Sequence, residues 1–168
     1  TLITSSAASD VYKRQGYQQT ISQPYIVARM TESLIEGDKM NEVPINHCLE
    51  IGTGCGYQTY ILSLFSKRVT SVERIEPLQD KAKETLKNLG VRNVTFKIDD
   101  GNKLGRLKYD AILSAAAPLS VPSTLKERLA VGGRLILPVG DSQRQVLTLI
   151  HRIDNDSYEE KRLEDVLF

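Results

Sequence analysis

An α/β fold, with a mostly parallel sheet and an antiparallel hairpin at its C-terminal end, is what three features of the sequence predict. A glycine-rich turn, Gly52-Thr53-Gly54-Cys55-Gly56, stands directly behind a strand-like run. Turns that hand a strand to a helix in this way mark the ligand edge of parallel sheets. From residue 45 to 100 strand and helix character alternate, and helical crossovers are how parallel strands are joined. The stretch 140–144, by contrast, is too short for a crossover, so the strands it joins are expected to run antiparallel.

The segment 45–51 ends the first strand at the glycines. After them Tyr57, Ile61, Leu64 and Phe65 recur at helical spacing, and Lys67 and Arg68 close that helix with charge suited to its negative end. A second strand is expected over 68–73. Pro77 suits the first turn of a helix whose buried stripe is Leu78, Ala82, Leu86 and Leu89, and Gly90 suits its left-handed stop. Val94, Phe96 and Ile98 alternate as a third strand, and 109–114 reads as a fourth, buried one. A helix over 123–129 leads to a fifth strand over 134–139, opened by Gly132 and Gly133. A strand over 145–153, a turn at Asp154-Asn155-Asp156-Ser157 and a returning strand over 159–168 complete the pattern.

A chain of 168 residues has the length of one domain with a single core. Its 22 basic and 21 acidic residues leave a net charge of +1, so no global field favours nucleic acid or an anionic membrane. Cys48 and Cys55 are the only cysteines. They form neither a C-x-x-C pair nor a metal-ligand spacing, so both read as small packing residues and no metal is expected. No apolar run approaches the ~20 residues that span a bilayer, and no signal peptide is visible, so the expected setting is cytoplasmic. Residues 1–15, rich in Ser, Ala and Thr and without a clear period, are expected to be a foreign or disordered leader ahead of a domain over 16–168.

The glycine spacing narrows the ligand. A dinucleotide fingerprint places its third glycine three residues after the second, and that place holds Tyr57. The observed G-x-G-x-G turn, preceded by Glu50 and followed about 20 residues on by Glu73, resembles the pattern of Rossmann-like S-adenosylmethionine-dependent methyltransferases. This donor has no pyrophosphate, so Gly52, Gly54 and Gly56 read as points of close backbone approach to an amino acid and a ribose. Thr53 belongs to the same turn. Glu73 is placed to accept both ribose hydroxyls. Glu50 is expected to orient the loop or the donor's amino group, with capping of the next helix as the other reading.

Further stretches carry a closer resemblance: Gln19-Thr20-Ile21-Ser22-Gln23-Pro24, Leu49 through Thr59, Val72-Glu73-Arg74, Asp100-Gly101, Tyr109-Asp110-Ala111-Ile112 with Ala115-Ala116-Ala117-Pro118, and Gly132 through Gly140. In that order they resemble the protein-L-isoaspartate O-methyltransferase family. The resemblance implies methyl transfer from S-adenosylmethionine to the α-carboxyl of L-isoaspartyl residues in damaged proteins and peptides, which starts repair through a succinimide. It implies Ser22 as the active-site residue, Thr20, Ile21, Ala116, Ala117 and Pro118 on the acceptor side, and Arg74, Asp99, Asp100 and Gly101 beside the donor, Asp100 taking the adenine amine. Ile75, Ile98 and Leu104 could supply apolar faces to that adenine. The family usually carries Gly-Asp-Gly where this chain has Asp99-Asp100-Gly101, and its members extend beyond both ends, so truncation at each end is expected.

The chemistry suits that acceptor. An α-carboxylate with a pKa of roughly 3.5 is already ionised at neutral pH and needs no general base, so His47 and His151 are expected to be bystanders. Alignment is needed instead, and a hydroxyl such as that of Ser22 supplies it without burying a countercharge. The expected enzyme is a monomer without nucleic-acid or membrane partners. Methyl transfer to another acceptor, or donor binding without turnover, are the competing readings.

Overall fold

The computed structural model describes residues 14–16, 19–20, 22–35, 45–101 and 105–168. Its elements are β1 (Arg14–Gly16), β2 (Gln19–Thr20), α1 (Pro24–Ile35), β3 (Ile45–Ile51), α2 (Tyr57–Phe65), β4 (Ser66–Glu73), α3 (Glu76–Asn88), β5 (Val94–Ile98), β6 (Tyr109–Ser114), α4 (Ser123–Glu127), β7 (Leu129–Gly140), β8 (Gln145–Arg152) and β9 (Tyr158–Val166). A seven-stranded sheet runs in the order β5-β4-β3-β6-β7-β8-β9. Its first four pairings are parallel, while β7–β8 and β8–β9 are antiparallel. The expected hairpin is therefore present, and β1 and β2 form a separate antiparallel pair. Most of the expected leader, residues 1–13, lies outside the described residues.

Strand β3 is the axis. Glu50 faces Ser71 of β4 on one side and Leu113 of β6 on the other, and Cys48, Leu49 and Glu50 are fully enclosed. One apolar cluster gathers Met30, Leu62, Val69, Ala111, Leu113 and Ile136. The other, on the opposite face, gathers Leu49, Val72, Ile112, Leu135 and Ile150. Strands covered on both faces read as continuous apolar runs, which is why β6 was legible.

Helix α2 stops earlier than the charge pattern suggested. Ser66 is already extended, at φ −129° and ψ 141°, so Lys67 and Arg68 open β4 rather than closing α2. The β-branched residues Val69, Thr70 and Val72 favour the strand. The buried face of α2 is Thr59 and Leu62, whereas Tyr57 and Leu64 are exposed. Burial of Leu62 alone stabilises by about 2 kcal/mol, enough to set which way a nine-residue helix turns. In α3 the stripe Leu78, Ala82 and Leu86 is buried as read, but Leu89 caps the helix in solvent ahead of Gly90. Strand β7 begins at Leu129 rather than at 134, because a register shift between Tyr109 and Ala111 lets the glycine pair continue it.

Helix α1 was not foreseen. Its signal was present: Pro24 at the first position, then Val27, Met30, Thr31 and Leu34 on one buried face. The hydroxyls of Thr31 and Ser33 donate back to Val27 O and Arg29 O, so these polar residues sit in a buried helix face without loss of hydrogen bonds.

Candidate functional site

The carboxyl ends of β3, β4, β5 and β6 open into a cavity of about 480 Å³. It lies where the chain order reverses, with β4 and β5 reached from one side of β3 and β6 from the other. Open α/β sheets bind ligands at such a crevice because diverging loops leave space there. Gly52, Thr53, Gly54, Glu73, Arg74, Asp99, Asp100, Ser22 and Ala116, all proposed from sequence, line it.

Glu73 organises the side of the cavity next to the glycine turn. One carboxylate oxygen, Oε2, accepts the Gly54 N–H at 3.0 Å. The other, Oε1, accepts the N–H groups of Arg74 and Ile75 at 2.9 and 3.0 Å. The acid thus ties the glycine turn to the end of β4 while still facing the cavity. Gly52 and Thr53 both donate to Val72 O, which fixes the turn at its base. Gly52 has φ +96°, and a Cβ there would stand 3.2 Å from the Ala115 Cβ, so glycine keeps β3 and β6 close at the cavity floor. Gly101 N–H donates to Asp99 Oδ1 at 2.9 Å, a local turn that presents both aspartates at the end of β5.

Several expected ligand contacts fall elsewhere. Glu50 does not line the cavity. It is fully buried behind the turn, where Oε2 accepts from Ser71 Oγ at 2.5 Å and Thr59 Oγ1 at 2.6 Å, and Oε1 has no partner. Its backbone position at a strand end told of proximity, not of which way the side chain faced. Gly56 is also absent from the lining. It starts α2 at φ +84°, and a Cβ would meet the Ala82 Cβ and Leu86 Cδ1 at 3.2 Å, so its reason is packing of α3 rather than a ligand. Gly101, Ala117, Pro118, Ile75 and Ile98 are likewise not in the lining. Pro118 instead uses its carbonyl to accept the Gly140 N–H at 2.9 Å. Ile21 and Leu104 lie outside the described residues, as does the side chain of Thr20.

The opposite wall comes from distant segments. Ser22 precedes α1, whose Val27 and Met30 face the cavity, and Gln58 of α2 bridges to α1 by donating from Nε2 to Thr31 Oγ1 at 2.9 Å. Phe168 also lines the cavity, and its N–H donates to Gln145 Oε1 at 2.8 Å. Sequence reading missed Gln58 and Phe168. Gln58 stood inside a quoted motif, but nothing in the sequence marked Phe168. Neither histidine is in the lining. His47 is held by Thr70 Oγ1, and burial together with Arg68 lowers its pKa. Cys48 is buried with its thiol pKa pushed far up, while Cys55 borders the cavity.

A family model described as Protein-L-isoaspartate(D-aspartate) O-methyltransferase (PCMT) matches residues 3–168. The chain belongs to that family. Protein-L-isoaspartate O-methyltransferases of Alcanivorax borkumensis and Saccharophagus degradans are 48% and 51% identical over 155 and 160 residues, each match covering 91% of this chain and 68% of the relative. The relative from Burkholderia cenocepacia is 47% identical over 158 residues, and the match spans 49% of its length. Among solved structures, a protein-L-isoaspartate O-methyltransferase superposes with a TM-score of 0.76 at 28% identity, covering 91% of this chain and 49% of the other. A Plasmodium falciparum structure, titled as such an enzyme in complex with S-adenosyl-L-homocysteine, gives 0.77 at 24% identity, covering 91% and 76%; at that identity the likeness speaks for the fold.

Proposed function

We propose that this chain moves the methyl group of S-adenosylmethionine to the α-carboxyl of L-isoaspartyl residues in damaged proteins and peptides, within a methyltransferase domain over 16–168. The observation that carries the reading is one cavity walled on one side by the glycine turn, Glu73, Asp99 and Asp100, and on the other by Ser22 and α1. The donor residues fit an adenosine with an amino-acid tail: a glycine turn pinned at Val72 O, and a carboxylate held at the strand end by three N–H groups, with one lone-pair site on Oε2 left for the ribose. When bound, S-adenosylmethionine supplies a methyl group on a cationic sulfur, so that an oxygen–carbon bond forms as the sulfur–carbon bond breaks and the sulfur departs as a neutral thioether.

The chain's own residues then have defined tasks. Glu73 accepts the ribose hydroxyls, Asp100 the adenine amine, and Gly52 and Gly54 give the backbone access to the donor, with Thr53, Arg74 and Asp99 beside it. Ser22 donates its hydroxyl to one acceptor carboxylate oxygen and turns the other toward the methyl group. Thr20, Ile21 and Ala116 border the acceptor. The apolar residues Met30, Val27 and Phe168 keep water from the reacting pair. No proton needs to move, since the acceptor is ionised.

We also read the chain as a cytoplasmic monomer without nucleic-acid or membrane partners. The net charge of +1 gives no global attraction to nucleic acid or to an anionic membrane, and no helix among the described residues is long and apolar enough to cross a membrane.

The test uses labelled S-adenosylmethionine with an isoaspartyl peptide and its normal aspartyl twin. Label is expected as a base-labile ester in the first alone, because the side-chain carboxylate of aspartate is displaced by a methylene, and misplacement by ~1 Å costs on the order of 100-fold. Ser22→Ala is expected to lower turnover by about 10- to 100-fold with donor affinity unchanged. Equal labelling of both peptides contradicts the acceptor assignment.

A further inference from the structure

Strand β9 ends at Val166, yet the residues after it keep the alternation of a strand. Val166 and Phe168 both pack against the apolar cluster that holds Met30, while Leu167 between them is exposed. An extended segment that outruns its ladder needs another acceptor for its N–H groups. Gln145 faces Val166 in the β8–β9 register, so Phe168, two residues on, falls opposite Gln143. The backbone there is already committed to a turn. Gln143 and Arg144 donate their N–H groups to Asp141 Oδ1, and Arg144 O accepts the Asp141 N–H.

The side chain of Gln145 supplies the acceptor that the strand lacks. Its Oε1 takes the Phe168 N–H at 2.8 Å. Gln145 is only 5% exposed, and on β8 it shares a face with Leu147 and Leu149 of the same cluster. A polar side chain at the end of a leucine row is costly unless it is paired, and the Phe168 N–H provides that pairing. The same residue stands at a joint between pieces of the cavity wall. On its other side it faces Gly140 of β7, whose N–H donates to Pro118 O, two residues beyond the cavity-lining Ala116. Gly140 permits this closeness, since a Cβ there would stand 2.8 Å from the Gln145 Cα. Gln145 does not itself line the cavity, but Phe168 does, together with Ser22, Val27 and Met30.

We propose that Gln145 is a positioning residue for the acceptor. It extends the sheet by one side-chain hydrogen bond and so holds Phe168 in the wall that Ser22 and α1 share, leaving donor binding to the glycine turn and Glu73. The inference rests on that wall being the acceptor side.

The chain has no tryptophan, so Phe168→Trp puts a single reporter into the wall. Its emission is expected at the shorter wavelengths of a partly enclosed indole. Adding Gln145→Met should move it to longer wavelength and increase quenching by acrylamide. Methionine keeps the length and packing of the side chain while giving up the strong acceptor, and thermal unfolding reports that the variant is folded. With labelled S-adenosylmethionine and an isoaspartyl peptide, Gln145→Met is expected to raise the peptide KM about 3- to 10-fold, the scale of one hydrogen bond. Donor Kd measured by calorimetry should not change. Phe168→Ala should show the same split, and adding Gln145→Met to it should cause no further loss, because the glutamine acts through Phe168. Unmoved tryptophan emission in the folded Gln145→Met variant, an equal loss of donor affinity, or additive losses in the double variant overturns the inference. Wild-type protein that binds the donor yet leaves the peptide unlabelled overturns the proposed acceptor instead, and the tryptophan emission then still decides whether Gln145 sets the place of Phe168.

Discussion

The two walls of the cavity are built on different plans. The donor wall is assembled from consecutive units, β3 with its turn, β4 and β5, each contributing the residues just past its carboxyl end. The acceptor wall joins Ser22 and α1 to Ala116 after β6 and Phe168 beyond β9, segments far apart in the chain. The donor wall is closed by backbone: Gly54, Arg74 and Ile75 on Glu73, Gly52 and Thr53 on Val72 O, Asp99 on Glu73 O. The acceptor wall is tied by side chains, Gln58 to Thr31 and Arg29 and Tyr25 to Glu164. On the proposed assignment, the donor is met by a turn and a carboxylate braced by backbone N–H groups, and the acceptor side is held by side-chain contacts.

The sharpest way to break this contrast is at Glu73. Glu73→Ala removes the proposed ribose acceptor and the carboxylate that the N–H groups of Gly54 in the turn and of Arg74 and Ile75 after β4 share, so donor affinity measured by calorimetry is expected to fall by about 2 to 4 kcal/mol in a protein that remains folded. Unchanged affinity removes the ribose assignment. At Gly56 the effect should be nearly as large but of another kind. Gly56→Ala forces a side chain into φ +84° against Ala82 and Leu86, and a stability loss of about 2 kcal/mol is expected in denaturant unfolding, with donor affinity of the folded fraction preserved. Lost affinity without lost stability there means that the glycine serves the ligand after all. The smallest effect belongs to the acceptor wall. Arg29, partly exposed, pairs with Glu164 and Glu32 at 3.0 and 2.9 Å, and Arg29→Ala should cost less than about 1 kcal/mol, a difference that shrinks further in high salt. A larger, salt-independent loss shows that the wall depends on packing rather than on charge.

The same contrast explains what the sequence could reveal. Strands β3 to β6 and helix α3 were legible because apolar period and glycine placement are local signals, and Glu73, Asp99 and Asp100 follow from strand ends. Side-chain direction was not legible, which is why Gly56 was read as a point of ligand approach and Glu50 was left between orienting the loop, meeting the donor and capping the next helix: alternation places a residue on one face of a strand but does not say that a neighbouring Ser71 and Thr59 await it there. Lys67 and Arg68 misled because two charges can suit a helix end or an exposed strand start equally well. Helix α1 carried a usable stripe, but it was overshadowed by the motif at its beginning. Phe168 could not be found at all, since its place depends on the packing of β9 against β8 and on Gln145, a contact spanning the hairpin.

Among the described residues strand β9 is the last in the sheet order, and its outer row of backbone groups has no strand beside it there. Its side chains answer that exposure. Glu159, Glu160, Lys161 and Arg162 stand in solvent, and Asp165 follows at the far end. Charges of both signs crowded along a free edge make the approach of a second strand costly, since each would have to be desolvated or matched in register. Among the described residues that edge is therefore a poor template for strand pairing, which turns a peptide away from the sheet margin and leaves the cavity as the place to bind it.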